Sequence, residues 1–535
     1  MPKEDQIQPS IVMAHRSIQL TVLVLFLGWS FDFLFWRRPL GINFVIFASV
    51  CLIGGFYILI SSGLHPAARG LFLLAPLVFF GLSSFVRNEP LTSFLTHTLM
   101  VFSMGLLAIT YLGGRWWRYG LLDYVKKFFL LGINLFLLPL DFSIRIEKER
   151  KERGMPRFEF PIGAVVRGLL IAAPIVIFFA ALLSSADLVF NQKLADFMGL
   201  FSFKRLIEYV YRLLLISFWA YILAGVYLYA AFKSTDDKLI GEEKPVIKPF
   251  LGFTETSIVL GSVVLLFLIF VVIQFRYFFG GNANIGIEGF TYSEYARRGF
   301  NELLSVAFFS LLMILGLSTI TRRESAVQRR VYSGLSVALL LLVLVILVSA
   351  YQRLTLAIFW HGFSRLRLYP RVFLIWVGIL FVGVVVLEIF RRECYFALAA
   401  ILASIGFAAS LCLVNVDASI VRRNVERASQ GLHFNFYLLA TLSTDAIPAL
   451  ADEFQDPRLP VSTHEEIGVA LLCAQNTGSM EDLPSRDWRS FNYSQWRAQK
   501  AIAEIESQLE GFRVNDTRWP VRVRTPSDIL YECKE

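Results

Sequence analysis

Residues 332–352, YSGLSVALLLLVLVILVSAYQ, contain no Asp, Glu, Lys or Arg. At a rise of 1.5 Å per residue, about 20 such residues cross a hydrocarbon core of roughly 30 Å. The leucines and valines run together without the period-two alternation of a barrel strand. In lipid every backbone N–H and C=O must be bonded within the segment, so the run is a membrane-spanning helix. Working outward from it, comparable runs lie at 18–36, 41–61, 69–86, 90–112, 165–184, 207–232, 254–276, 299–320, 370–390 and 394–414, which makes about eleven spans.

The whole composition agrees. Hydrophobic residues make up 56% of the 535 residues and charged ones 17%, with a mean hydropathy of +0.59, far from soluble globular usage. The expected fold is all-α, a polytopic transmembrane helical bundle with a small C-terminal helical domain. The first run lacks a small-residue cleavage site and reads as a retained helix. The five cysteines show no C-x-x-C spacing, so no metal centre is indicated.

Residues 121–140 are apolar enough to span but carry Asp123, Lys126 and Lys127 early on. If this segment crossed, Arg115 and Arg118 would be separated from the basic stretch Arg145–Arg157. An amphipathic interfacial helix near 120–140 keeps these charges in one loop, which the positive-inside rule assigns to the cytoplasm. Alternation then sets the N-terminus inside and the C-terminus outside. Two further basic loops, Lys233–Lys248 and Arg322–Arg330, also fall inside.

Near residue 430 the apolar runs cease, and residues 430–535 hold sixteen acidic against ten basic side chains. The expected division is a transmembrane part, 1–429, and an extramembrane helical part, 430–535, with Trp496, Ile502, Ile505 and Leu509 as one buried stripe. An extracytoplasmic location would permit a Cys473–Cys533 disulfide; two separate thiols are the other reading.

On this topology the polar interruptions gather on the outer side: Asp32, Asp187, Arg276, Tyr292, Glu294, Arg297, Arg298, Arg353, His361, Arg365, Arg367, Asn415, Asp417, Arg422 and Arg423. Several sit in the strings SSADLVF (184–190), FVVIQFRYFFGG (270–281), TYSEYARRGF (291–300), SRLRLY (364–369) and NVDASIVRRN (415–424). Together these strings resemble those of bacterial polytopic membrane proteins grouped only as a domain of unknown function, of the 4173 / 4153 type. The resemblance spans about 165–450. Where that family usually has Asn-Pro-Asp, this chain has Asn415-Val416-Asp417. The resemblance implies a bacterial inner-membrane location and supplies no reaction, cofactor or catalytic residue.

Arginine on the outer face runs against the positive-inside tendency, and guanidinium groups match phosphate and carboxylate oxygens. Arg276, Arg297, Arg298, Arg353, Arg365, Arg367, Arg422 and Arg423 are therefore the candidate ligands of an anionic lipid or envelope polymer. Tyr292, His361 and Asn415 are polar partners beside them. The structural alternative pairs the arginines with Asp32, Asp187, Glu294 and Asp417 to fix helix ends. A membrane transporter is the second functional reading, although the centres of the spans are poor in ionisable residues. A transferase or hydrolase acting on a lipid-linked substrate is the third. His361 with Glu294 and Asp417 is the one outward set with acid–base groups, and no H-E-x-x-H, D-x-D, G-x-S-x-G or P-loop pattern supports it. A final reading makes the chain an envelope assembly or sensing protein. Beyond the lipid bilayer, no cofactor, metal or nucleic-acid partner is expected.

Overall fold

The computed structural model describes residues 16–152, 203–235, 239–240, 248–279, 300–432, 436–476, 487–516 and 520–533, with scattered positions between 172 and 193. The expected span at 165–184 lies largely outside these residues. Candidate residues Tyr292, Glu294, Arg297 and Arg298 lie outside them entirely, as does the side chain of Arg276.

The apolar runs are helices: α1 (Ser17–Phe35), α2 (Ile42–Ser61), α3 (Leu74–Val86, led in by a tight turn at Leu71–Leu73), α4 (Pro90–Ile109), α5 (Leu121–Glu152), α6 (Phe203–Phe232), α7 (Phe253–Phe279), α8 (Phe300–Ile320), α9 (Ala326–His361), α10 (Arg365–Ile389) and α11 (Phe396–Val414). Among the described residues ten helices are long and apolar enough to cross a membrane. The protein is an all-α multi-pass membrane protein. Nine of the ten coincide with expected spans. The segment expected at 69–86 is a shorter apolar helix, Leu71–Val86.

The tenth is α5, whose Leu121–Lys148 portion qualifies by length and composition. Of its early charges Lys126 is exposed and the other two are held locally. Asp123 and Lys127 are buried. The Asp123 carboxylate accepts from the backbone N–H of Gly120 (2.9 Å) and Ile240 (2.7 Å), and the Lys127 ammonium lies 5.2 Å from the Tyr119 ring centroid.

The chain forms two compact units. One comprises Met1–Arg38, Phe47–Pro66 and Phe129–Ser234; the other Pro39–Ile46, Ala67–Phe128 and Thr235–Glu535. In the first, α1 packs on α6 where Gly28 lets the backbones meet: a Cβ there would stand 2.3 Å from the Ile216 carbonyl oxygen. Small residues allow this close approach, which association in lipid relies on because burial against lipid gives no hydrophobic gain. Phe31 stacks on Trp219 at 4.4 Å beside it.

In the second unit α9 is the central post, packed by α7, α8 and α10. Leu339, Leu340, Val343 and Ala350 are fully buried along it. The helix ends form two sets. At one end the chain before α7 bonds to the end of α8 (Phe250 N–H to the Ile320 carbonyl, 3.0 Å). Arg323 there reaches Glu393, between α10 and α11, at 3.7 Å. At the other end lie Val86–Pro90, His361–Arg365 and Val414.

Residues beyond Val414 cover that second end. They form α12 (Val416–Ser429), α13 (Phe436–Ala440), α14 (Ile447–Phe454), α15 (Val461–Asn476) and α16 (Tyr493–Leu509), followed by an antiparallel sheet β1 (Arg513–Asp516), β2 (Arg522–Arg524) and β3 (Leu530–Glu532), in the order β1-β2-β3. The sheet departs from a purely helical tail; its strands of three or four residues are too short for a periodic signal. Ile502, Ile505 and Leu509 are buried as the spacing predicts, but Trp496 is 46% exposed and stacks on Tyr493. Cys473 and Cys533 form a disulfide across 60 residues.

Candidate functional site

The site lies where the tail meets the helix ends, within the second unit. It begins with Asn415, which takes the left-handed conformation (φ 48°, ψ 83°) between α11 and α12. Asn tolerates this region because its short amide bonds locally; here the amide oxygen accepts from Ala418 N–H at 3.2 Å. The turn therefore forms with Val416 in place of proline. It directs Asp417 inward to complete burial.

Asp417 receives Arg365 in a bidentate pair, Nε to Oδ1 at 2.8 Å and Nη2 to Oδ2 at 2.5 Å. Oδ2 also accepts from the backbone N–H and the hydroxyl of Ser443, at 2.9 and 2.6 Å. Two turns on, the Asn424 amide brackets Phe363: its oxygen accepts from Phe363 N–H and its nitrogen donates to the Phe363 carbonyl, both at 2.8 Å. The Arg423 guanidinium lies 5.3 Å from the Phe363 ring centroid, and Arg422 makes a long, exposed contact with Asp452 at 3.9 Å.

A second set fastens α14 to the loop between α3 and α4. The Asp445 carboxylate accepts from the backbone N–H of Asn88 and Glu89 at 2.8 and 2.9 Å. Burial pushes the Asp445 carboxyl above the usual carboxylate range, against the Asn88 N–H that favours its ionised form. Glu89, buried, caps α4 by accepting from Leu91 and Thr92 N–H and receives the Tyr369 hydroxyl. Arg87 donates to the Cys412 carbonyl at 2.7 Å.

Thus Arg365, Asp417, Asn415, Arg422 and Arg423 are brought together, largely as partners of one another and of the tail. Arg353 is buried in α9. Asp32 belongs to the first unit, where its partner is Arg212 in α6, 2.5 Å from Nη2 to Oδ2. Sequence reading paired Asp32 with the outer arginines and passed over Arg212, though it is the one charge between Glu208 and Lys233. Asp187 caps a local turn, accepting from Val189 and Phe190 N–H. His361 is exposed, with Nδ1 3.2 Å from the Ala357 carbonyl oxygen of its own helix.

One pair of arginines differs. Arg367 Nη1 donates to the carbonyls of His361 (3.2 Å) and Gly362 (2.9 Å). Gly362 has φ +78°, and a Cβ there would lie 2.8 Å from Asn424 Oδ1 and 3.8 Å from Arg427 Nε. Two guanidinium groups therefore converge on one glycine. Arg427, which sequence reading did not single out, is 9% exposed, and its buried Nε has no hydrogen-bond partner among the described residues. Neither arginine forms an ion pair among those residues. Nearby, Phe359, Trp360 and Leu366 are 55%, 56% and 85% exposed, the character of a membrane–water interface.

Among known families, residues 74–453 fit the model of a domain of unknown function, DUF4153. No curated protein and no solved structure matches the chain.

Proposed function

The chain belongs to the DUF4153 family, and from that premise we propose that it is a bacterial inner-membrane protein that binds an anionic group on its extracytoplasmic face. The observation that carries the reading is Arg427, buried beside Arg367 at Gly362 with its Nε unpartnered among the described residues. A buried cation lacking a counter-ion is costly, and a phosphate or carboxylate entering between two guanidinium groups offsets that cost through charge-assisted bonds. The ligand is a lipid headgroup or an acidic envelope polymer.

Two observations support the orientation. Arg69, Arg115, Arg118, Lys248, Arg322, Arg323, Arg329, Arg330, Arg391 and Arg392 lie at helix ends away from the tail, as the positive-inside rule asks of a cytoplasmic face. The Cys473–Cys533 disulfide suits an oxidising compartment on the tail side. Neither argument passes through α5.

The test uses the full-length protein in nanodiscs. Melting temperature is compared in phosphatidylcholine, in phosphatidylglycerol, and in phosphatidylcholine with added polyphosphate. One anionic condition raises it and identifies the source. In Arg427→Gln that rise disappears, while the ligand-free variant melts no lower than wild type because an uncompensated buried charge has gone. Equal responses of wild type and variant to both probes would sink the reading. An impermeant maleimide that labels Cys473 and Cys533 from the cytoplasmic side of inverted vesicles, after reduction, would overturn the orientation.

A further inference from the structure

In the second unit, an apolar groove of about 830 Å³ runs between the α3–α4 pair and α11, from Arg69 and Trp117 at the end away from the tail to Leu413 near the tail-side end. Its walls include Pro76 and Phe79 of α3, Phe102 of α4, and Ile401, Ile405 and Ala409 of α11. The one hydroxyl in the wall, Ser103, is spent on the Leu99 carbonyl of its own helix at 2.7 Å. The wall residues of α11 extend from Ile401 to Leu413, about 18 Å at the helical rise, slightly more than half of a roughly 30 Å hydrocarbon core. The groove is therefore long enough for one extended acyl chain.

Its mouth is built differently. Arg69 stands with its guanidinium carbon 4.7 Å from the Trp117 ring centroid, and Trp116 Nε1 donates to the Arg69 carbonyl at 3.1 Å. Two tryptophans mark the headgroup level. Arg69 forms no ion pair among the described residues, and Arg115 and Arg118 flank the tryptophans in sequence. The nearest acidic residue along this stretch, Asp123, already accepts two backbone N–H groups. The mouth is cationic and the groove behind it is apolar.

We propose that this groove holds one acyl chain of an anionic phospholipid, with the lipid phosphate met by Arg69 at the tryptophan-lined mouth. The occupant is a resident lipid of the leaflet on the side away from the tail, separate from whatever the Arg367–Arg427 pair binds. Charge selects the headgroup and the groove selects a chain, so the site discriminates between lipids that differ in headgroup alone.

Native mass spectrometry of the full-length protein, delipidated in mild detergent and titrated with dioleoyl phosphatidylglycerol or dioleoyl phosphatidylcholine, tests this. Wild type is expected to retain the anionic lipid at least tenfold better. Arg69→Gln, at an exposed position that leaves the fold intact, reduces that preference to within about threefold. Ala409→Phe, which fills the groove, abolishes retention of both lipids there. The same comparison is made in an Arg427→Gln background, where any headgroup held at the other site is removed and the Arg69-dependent preference persists. Equal retention of the two lipids by wild type, or an undiminished preference in Arg69→Gln, overturns the proposal.

Discussion

Two Arg–Asp pairs with similar geometry perform different tasks. Arg212–Asp32 joins two membrane helices, and Arg365–Asp417 joins a membrane helix to the tail; both approach to 2.5 Å, with the aspartates 2% and 0% exposed. They differ in the rest of the acid's surroundings. Asp417 also accepts two bonds from Ser443, so its charge is spread over two donors of the tail as well as over the arginine. Beside Asp32 the aromatic ring of Trp36 lies under Arg212, 5.5 Å from its guanidinium carbon. An ion pair in an apolar setting is a weak source of net stability but a strong source of register, because either member alone is costly.

That contrast can be broken by substitution. The largest effect is expected for Asp417→Ala, which strands Arg365 and orphans the Ser443 donors. A loss of about 3–5 kcal/mol would appear as separation of the tail, read as accelerated proteolysis between 430 and 460. Asp32→Ala should cost less, about 2–3 kcal/mol, because Arg212 is 33% exposed and regains water or lipid phosphate. Its check is the melting temperature of the full protein in nanodiscs, with proteolysis of the tail unaltered. The double change Asp32→Leu with Arg212→Met should recover most of that loss, since replacing both partners with apolar groups removes the uncompensated charge; no recovery would mean that the pair stabilises outright.

The smallest effect concerns Asp445. Its folded pKa is raised by burial, so the folded state binds the proton more tightly than the unfolded state does. Stability from this group is greatest below its unfolded value and falls as pH climbs through the raised folded value. The stability of wild type relative to Asp445→Asn should therefore increase as pH is lowered from 7 toward 4. A flat difference across that range would mean that docking through Asn88 and Glu89 is indifferent to protonation.

The helices were legible because lipid allows one backbone solution for a long apolar run. The role of the polar strings was not. NVDASIVRRN reads as a row of exposed cations, yet its Asp417 and Asn424 are consumed by Arg365 and the Phe363 backbone, partners more than fifty residues away that no local period reveals. Arg427 was passed over for the same reason: it differs from its neighbours only in burial, which tertiary packing sets. The tail's sheet was also invisible, its strands being shorter than one alternation needs to register.

The length of α9 has a consequence of its own. Its 36 residues measure about 54 Å, longer than the 40–45 Å of a bilayer counted to the outer limits of its headgroups. The helix thus acts as a ruler that sets Arg329 and Arg330 at one polar boundary and the Gly362 turn at the other. In a thicker bilayer the turn is drawn down among phosphates; in a thinner one it stands clear of them unless the helix tilts. A lipid headgroup bound at Arg367 and Arg427 would be held according to membrane thickness, whereas a soluble polymer would be held equally in both.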